Sequence, residues 1–248
     1  MYCQKHLHVA LPTLDSFKKG DYPKALKECF LQLDRLMRAS HGKEELKRMS
    51  KMSPLPKEER KGGKKITDPP VHRPTVINDD DVAMYVGCTA CVALVTPESI
   101  YVANAGDSRA VLGIKRSAFE MSYDHKPEKK EERYRIEDAG GFVEDNRVNG
   151  ILNLSRSIGD FEYKASPKLP EDKQMVTACP DIKEIKRSPD IDFMIIACDG
   201  IWDCLTNQQA VDFVYDQRAK AKPLAPVSLY IESMFSKIIA KDTHTSGK

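Results

Sequence analysis

The most informative stretch of the chain is Asp192-Phe193-Met194-Ile195-Ile196-Ala197-Cys198-Asp199-Gly200-Ile201-Trp202-Asp203. Its first half is apolar on both faces, which predicts a central strand of a sheet. A helical turn after Gly200 would bring Asp203 back to the same side as Asp199, four positions on. Two adjacent carboxylates repel unless a cation neutralises them, and hard oxygen ligands suit Mg²⁺ or Mn²⁺. The alternative is that Asp199 caps the turn and Asp203 is solvated.

Further strand patterns precede this stretch. Residues 90–95, 100–105 and 109–114 are apolar runs separated by turn signals, and we interpret them as an antiparallel meander. The last two runs are separated by a turn signal, Gly106-Asp107-Ser108. Because this turn joins two strand ends, the Asp107 carboxylate is expected to face a sheet edge. A plain hairpin turn is the alternative for this segment.

Helix signals flank the strands. Residues 20–24 contain Pro23 and lead into apolar residues at every third or fourth position, which predicts an amphipathic helix. A charged helix is expected from Glu128 to Ala139, with Glu131 and Arg135 four residues apart. The segment 206–209 has capping-box spacing, so another helix begins there. Strands and helices in separate blocks favour an α+β layered sandwich over a repeating βαβ fold.

Composition narrows the class of protein. The 248 residues are 41% hydrophobic and 31% charged, which is ordinary for a globular domain, and the net charge of +2 gives no overall field for nucleic acid. The sequence contains no apolar run of transmembrane length, and its first residues lack a secretory apolar segment. We therefore predict a cytoplasmic protein, with nuclear or cytoskeletal association left open.

The chain has seven cysteines at irregular spacing. An odd number without a regular pattern favours reduced thiols over a disulfide framework. Cys88 and Cys91 form a C-x-x-C, but a structural zinc needs about four ligands and no second pair accompanies them. Strand alternation also predicts that the two thiols point to opposite faces. We interpret them as separate buried thiols.

A basic segment divides the chain. Residues 43–73 contain ten Lys or Arg against five acids, and prolines and glycines interrupt any regular element. We predict a flexible, solvated insertion at about 43–80. Contact of residues 43–73 with an acidic partner is the alternative.

A third polar segment lies between residues 147 and 160. There Arg156 could engage phosphate and Asp160 could cap a helix, or the loop is held by its own polar side chains.

Several short motifs follow one another along the chain. They are Gly87-Cys88-Thr89-Ala90, Ala105-Gly106-Asp107-Ser108-Arg109, Asp124-His125-Lys126-Pro127, Ala139-Gly140-Gly141, Arg147-Val148-Asn149-Gly150, Ser155-Arg156 with Gly159-Asp160, and Ala197 to Asp203. Taken in this order, the motifs closely resemble those of the type 2C family of protein serine/threonine phosphatases.

The resemblance implies a four-layer αββα sandwich of two antiparallel sheets flanked by helices. It also implies hydrolysis of phosphoserine and phosphothreonine in proteins by a metal-activated water, with two or more Mg²⁺ or Mn²⁺ ions. By position, Asp199 resembles a ligand of the metal centre, and Asp107 and Asp203 resemble ligands of an additional, weaker metal. Arg156 and Asp160 match a segment that supports the cleft, and His125 resembles a structural residue.

Other family motifs are expected outside these 248 residues. The resemblance implies an upstream Asp-Gly-His-Gly-Gly stretch, a phosphate-gripping Arg still further upstream, and a downstream Asp-Asn-Met motif. We therefore expect a partial catalytic domain, incomplete at both ends, that is inactive by itself and belongs to a longer enzyme. The alternative is a naturally inactive pseudophosphatase with a structural or scaffold role. The substrate and the oligomeric state are not predicted.

Overall fold

The computed structural model describes residues 1–52, 82–220 and 226–239. The helices are α1 (Tyr2–Ala10), α2 (Asp15–Lys18), α3 (Tyr22–Arg38), α4 (Ser40–Met52), α5 (Val82–Tyr85), α6 (Lys130–Asp138), α7 (Asp199–Trp202), α8 (Asn207–Lys220) and α9 (Val227–Ile238). The strands are β1 (Gly87–Cys88), β2 (Ala90–Val95), β3 (Ser99–Ala105), β4 (Arg109–Ile114), β5 (Ser117–Glu120), β6 (Val143–Glu144), β7 (Arg147–Val148), β8 (Ile158–Gly159), β9 (Asp181–Lys186) and β10 (Ile191–Ala197).

Two compact units make up the chain. The first contains Met1–Ala90 and His125–Pro180, and the second contains Cys91–Asp124 and Asp181–Lys248. Two three-stranded sheets occur, one in the order β2-β3-β9 and one in the order β10-β4-β5. The pairings β3–β9, β10–β4 and β4–β5 are all antiparallel, which confirms the α+β class with antiparallel sheets.

The predicted meander is wrong at one point. The strands β3 and β4 do not pair with each other, because the chain passes from one sheet to the other at the Gly106-Asp107-Ser108 turn. Gly106 has φ 120°, a conformation that a side chain would resist, and this lets the chain leave the sheet abruptly. Local spacing predicted the turn correctly but could not determine which sheet the next strand would join.

The predicted central position of the 192–198 strand is also wrong for the described part of the chain. There β10 lies at the edge of its sheet, with β4 as its neighbour. Apolar side chains of β10 nevertheless pack on both faces, although Ile196 is exposed. Met194 packs towards the core shared with the other sheet, whereas Phe193 and Ile195 pack against the helical layer. The apolar residues on both faces of β10 therefore reflect packing above and below the sheet. They do not indicate a neighbouring strand on each side.

Layered packing is clear within the second unit. One buried cluster joins side chains from both three-stranded sheets, including Ile100 and Val102 of β3 and Leu112 of β4. A second cluster, on the other face of β4 and β10, takes in Trp202 and residues of α8 and α9. The second unit therefore consists of a helical layer, a sheet and a second sheet in contact, as expected for a layered sandwich.

In the first unit the helix predicted after Gly20 is confirmed as α3. Asp21 is its N-cap, since the Asp21 side chain accepts a hydrogen bond from the Lys24 amide, and Pro23 lies in the first turn. The apolar stripe of α3 is buried, with Leu26, Phe30 and Leu33 fully enclosed. The capping box at Thr206 is likewise confirmed in the second unit, by reciprocal hydrogen bonds with Gln209 of 2.9 and 3.2 Å.

The start of the predicted flexible insertion is instead helical. Residues 43–52 continue α4, which packs on α3, and Glu45 of α4 contacts His6 of α1 at 2.8 Å. The prolines that break regular structure begin only at Pro54, so nothing local prevents a helix before them. Residues 53–81, the greater part of the predicted insertion, lie outside the described residues. Across the described ranges, we find no helix with the length and apolar character needed to cross a membrane.

Candidate functional site

Two of the predicted metal ligands lie at the same end of the β4–β10 pair. Ala197, the last residue of β10, pairs with Arg109, the first residue of β4, so Asp199 and Asp107 both lie two residues beyond the same end of this antiparallel pair. Asp107 is buried, and Asp199 is half-buried at the start of α7. Both residues therefore lie beyond the same end of the sheet, and their roles as metal ligands stay predictions.

Asp203 follows through the predicted helical turn. The amide of Asp203 donates to the Asp199 carbonyl at 2.8 Å, so α7 continues for one turn and returns the chain towards the Asp199 side. The turn is anchored by Trp202, whose indole N–H donates to the Ala197 carbonyl at 2.8 Å. Asp203 is exposed, on the rim of an open cleft of about 360 Å³ that Arg109 and Asn207 also line.

Arg109 is the most constrained residue of this cleft, and the sequence patterns did not single it out for that role. Its guanidinium donates two hydrogen bonds to Asp124 (2.9 and 2.8 Å) and a third to Asn207 (2.6 Å). It also lies over the Trp202 ring, 5.3 Å from the centroid. Bonding to Asp124 raises the pKa of Arg109, with smaller contributions from Glu120 and Asp203. Arg109 therefore holds β4, the chain at Asp124 and α8 together beside the predicted ligands.

The chemistry of this end of the sheet suits a divalent cation only in part. Asp107, Asp199 and Asp203 offer the carboxylate oxygens that Mg²⁺ and Mn²⁺ prefer. However, among the residues that the structure describes, no group of three or more His, Cys, Asp or Glu side chains is gathered closely enough to hold a metal ion. These residues on their own therefore do not make up a metal site, and the metal roles of the three aspartates stay predictions.

Arg156 and Asp160 belong to the first unit and are described by themselves. Arg156 donates two hydrogen bonds to Glu132 Oε1 (3.0 and 2.6 Å), a longer one to Glu132 Oε2 (3.2 Å), and one to the Cys179 carbonyl at 3.1 Å. Arg135 and Ser155 donate to Glu132 Oε2 at 2.7 and 2.6 Å. Glu132 is only 3% exposed, so one buried carboxylate organises this polar cluster. Phosphate binding by Arg156 stays a prediction, in which the phosphate would compete with Glu132.

The position of Glu132 in α6 explains why the sequence patterns did not predict its role. The sequence spacing drew attention to Glu131 and Arg135, four residues apart, but Glu131 is exposed and Arg135 pairs with Glu132 three residues away. Glu132 precedes the fully buried Ile136 by four positions, which places both on the inward face of α6. The spacing of four residues between Glu132 and Ile136 is therefore the sequence signal that could have predicted the burial of Glu132.

We expect the buried Glu132 cluster to make the fold sensitive to acid. Burial alone would raise the pKa of Glu132, but the hydrogen bonds and charges of Arg156 and Arg135 outweigh it and lower the pKa from 4.5 to about 2. A carboxyl whose pKa is lower in the folded state stabilises the fold above pH 4.5 and loses that contribution as the pH falls towards 2. The loss is up to about 3 kcal/mol. Urea unfolding between pH 7 and pH 3 captures about 2 kcal/mol of this loss, and a Glu132→Gln variant with an equally steep decline would contradict it.

Asp160 stands at a strained turn. Its φ is 50°, in the left-handed region that Asp tolerates better than most residues, and it is buried. Asp160 does occupy the N-cap position of the short 3₁₀ helix Phe161–Lys164, but its side chain makes no capping hydrogen bond. The Asp160 carboxylate instead accepts a hydrogen bond from the Ser157 hydroxyl at 2.6 Å. The predicted capping role is therefore wrong in its chemistry, although right in its position.

Gly87 of β1 provides the space for that carboxylate. A Cβ atom added at Gly87 would lie 2.0 Å from an Asp160 carboxylate oxygen, and β1 pairs directly with β8 beside it. We expect Gly87→Ala to destabilise the fold by about 1–3 kcal/mol, because the buried and hydrogen-bonded Asp160 has little room to shift. Thermal unfolding of this variant is the measurement. Gly200→Ala is the matched control, since its Cβ would meet nothing closer than 3.6 Å; equal stability of the two variants would contradict the steric explanation.

The sequence patterns also did not predict a second buried ion pair, between Lys164 and Asp34. Lys164 donates to Asp34 of α3 at 2.6 Å and to the Ser157 carbonyl at 2.7 Å, and the Gly159 amide donates to Asp34 at 2.9 Å. Burial raises the pKa of Asp34 and lowers that of Lys164, and their mutual attraction opposes both shifts. The pair joins α3 to the segment 157–164. No local pattern connects residues 130 positions apart.

His125, predicted to be structural, is buried in the first unit. Its carbonyl accepts a hydrogen bond from the Ser155 amide at 3.5 Å, next to Arg156. These contacts are compatible with a structural role for His125.

Comparison with known proteins places these features in a family context. The sequence model of "Protein phosphatase 2C" matches residues 58–245. The chain is similar to "Probable protein phosphatase 2C 21" of Arabidopsis thaliana, with 39% identity over 98% of this chain and 70% of that protein. It is also similar to "Protein phosphatase 2C homolog 2" of Aspergillus flavus, with 38% identity over 100% of this chain but 47% of that protein.

The fold has a solved counterpart. The crystal structure of a serine-threonine phosphatase 2C from Toxoplasma gondii superposes with a TM-score of 0.65, covering 95% of this chain and 75% of that one. Sequence identity over this superposition is 17%, so it shows likeness of fold alone.

Proposed function

Because the chain belongs to the protein phosphatase 2C family, we propose that it takes part in the hydrolysis of phosphoserine and phosphothreonine in proteins. Family membership supports protein phosphatase activity, and phosphoproteins are accordingly the proposed substrates. The observation that carries the proposal for this chain is the register of β4 and β10. That register brings Asp107 and Asp199, on two motifs far apart in sequence, to one end of the sheet.

The proposed reaction depends on Mg²⁺ or Mn²⁺, with two or more ions in the complete enzyme. Divalent cations in such a site supply an activated water and neutralise phosphoryl charge. Asp199 is proposed as a ligand of the main centre, with Asp107 and Asp203 as ligands of a weaker one. The described residues do not complete such a site, so we propose that the remaining ligands come from outside them. Arg109 is proposed to position this end of the sheet.

In the first unit, Arg156 and Asp160 are proposed to support the catalytic cleft. Arg156 acts through its bonds to Glu132 and the Cys179 carbonyl, which hold the segment 155–160. Asp160 acts through Ser157 and through its close approach to Gly87. Both residues are positioning residues in this proposal.

A catalytically inactive pseudophosphatase, with a structural or scaffold role, is the second candidate. It is motivated by the incomplete set of metal ligands among the described residues. The 248-residue polypeptide by itself is predicted to be inactive under either hypothesis. Only the complete product of the parent transcript therefore distinguishes the two.

The decisive experiment compares that complete product with the 248-residue chain. Each is assayed for release of phosphate from phosphoserine and phosphothreonine peptides, with Mn²⁺ and after removal of metal by a chelator. The proposal expects hydrolysis by the complete product that requires metal, and none by the chain alone. A folded complete product that stays inactive with Mn²⁺ and with Mg²⁺ would instead establish the pseudophosphatase.

Two further expectations belong to the same proposal. We propose a cytoplasmic location and contact between the basic residues of 43–73 and an acidic partner. Imaging of the tagged protein with and without residues 53–73 tests both, because unchanged location and binding after deletion would remove the basic segment from consideration.

A further inference from the structure

Two cysteines from distant parts of the sequence meet in the first unit. Cys3 lies in α1 and Cys88 in β1, 85 positions apart, and their sulfur atoms are 3.7 Å from each other. All seven cysteines of the chain are free thiols, and the other five are Cys29, Cys91, Cys179, Cys198 and Cys204. Cys88 is exposed and Cys3 is half-buried, so small molecules can reach the pair.

We propose that Cys3 and Cys88 form a reversible disulfide bond when the protein reacts with hydrogen peroxide. A disulfide has a sulfur–sulfur distance of about 2.05 Å, so the two sulfurs need to approach by roughly 1.6 Å. We expect rotation of the two side chains and a small shift of α1 to cover this distance. This inference does not depend on the proposed enzymatic function.

The contact between the two thiols also distinguishes their roles. A hydrogen bond with Cys3 lowers the pKa of Cys88, and the same bond, with burial, raises the pKa of Cys3. Since the thiolate is the reactive form, Cys88 is the thiol that meets the oxidant first. Cys3 is then the resolving thiol.

The chemistry balances in two steps. The Cys88 thiolate attacks one peroxide oxygen, the O–O bond breaks, and the departing hydroxide takes up a proton to leave as water, with Cys88 as a sulfenic acid. The sulfur of Cys3 then attacks the sulfur of Cys88, the S–O bond breaks, and the hydroxyl leaves as water with the Cys3 proton. Two thiols have supplied two electrons, and one hydroperoxide has been reduced. A dithiol reductant returns both cysteines by thiol–disulfide exchange.

The neighbouring Cys91 is a poor competitor despite the C-x-x-C spacing. Burial raises the pKa of Cys91 to about 12, and its thiol lies beside Ser122. Cys91 packs with the core cluster between the two three-stranded sheets, whereas Cys88 lies against α1. Cys29 is similarly unreactive, because burial raises its pKa to about 11. The fold therefore selects Cys3, and not the nearer Cys91, as the partner of Cys88.

The bond would form beside a strained segment. Cys88 pairs with Ile158 of β8, and its neighbour Gly87 makes room for the Asp160 carboxylate. Oxidation would tie α1 covalently to the strand that supports the Asp160 turn. The pair is thus placed to couple the redox state of the protein to this part of the first unit.

Peptide mapping of the folded 248-residue chain tests the proposal. The chain is treated with increasing hydrogen peroxide, remaining thiols are alkylated, and the non-reduced digest is analysed by mass spectrometry. We expect the peptide linked through Cys3 and Cys88 to form before any other disulfide and to disappear on treatment with dithiothreitol. A first disulfide between Cys88 and Cys91, or no linked peptide at all, would overturn the proposal.

Variants and an unfolded sample complete the design. Cys198→Ser is the matched control, since Cys198 is also exposed, and it should leave the Cys3–Cys88 linkage unchanged. Cys3→Ser should abolish the linkage and leave Cys88 as the most oxidised thiol. The same treatment in urea should give mixed pairings, because the contact depends on the fold. A Cys3–Cys88 preference that persists in urea would show that the fold does not select the pair.

Discussion

Replacing Asp199 with asparagine is expected to lower the metal-dependent phosphatase activity of the complete enzyme by roughly a thousandfold. The substitution keeps the size of the side chain but removes the negative charge proposed to hold a divalent cation. Such a cation contributes several kcal/mol to the transition state, and each 1.36 kcal/mol is a tenfold change in rate. Steady-state hydrolysis of a phosphopeptide across a Mn²⁺ titration measures the effect.

The control for this prediction lies just before the start of the same strand. Asp190 pairs with Lys115 at 2.7 Å on the surface, and Asp190→Asn should leave activity unchanged, because exposed ion pairs contribute little. Circular dichroism and thermal unfolding should show both variants folded like the wild type. If Asp199→Asn retains activity within a few-fold of the control, Asp199 is not a metal ligand.

The second large effect is on stability. Glu132→Gln is expected to lower the free energy of unfolding by about 3–5 kcal/mol, because it leaves the charges of Arg135 and Arg156 buried without their carboxylate partner. The neutral amide can accept only part of the hydrogen bonding that the carboxylate accepts. Urea unfolding at pH 7, followed by fluorescence of Trp202 and by circular dichroism, measures the loss.

Helix α6 supplies a matched control for this substitution. Glu131 precedes Glu132 in the same turn but is exposed, so Glu131→Gln should change the unfolding free energy by no more than a few tenths of a kcal/mol. A double variant that also replaces Arg156 with leucine should recover part of the loss, because it removes one of the unpaired charges. Equal effects of the two glutamine substitutions would show that the buried cluster does not stabilise the fold.

The candidate site was predictable only in those parts that local sequence encodes. Asp199 at a strand end, the turn through Gly200 and the return of the chain to Asp203 all follow from an apolar run and its interruption. The placement of Asp107 and Asp199 beyond the same end of the sheet required the pairing of β4 with β10. Arg109 belongs to one of the sequence motifs, but the spacing of residues along the chain could not predict its hydrogen bonds to Asp124 and Asn207.

Local sequence patterns were sufficient to predict several elements and the family. The useful signals act within a few residues, so they can be recognised without knowing the fold. They are the hydrophobic periodicity, Pro23, the Thr206 capping box and the glycines after α6. The order of the motifs identified the protein phosphatase 2C family because spacing along the chain is itself a sequence property.

The tertiary structure decided which distant residues meet. It sent β3 and β4 to different sheets, placed β10 at the edge of its sheet within the described residues, and put Glu132 rather than Glu131 beside Arg135. It also brought Cys3 to Cys88 across 85 positions. Such contacts depend on how whole elements pack and on which buried charges find partners, and no local periodicity encodes either.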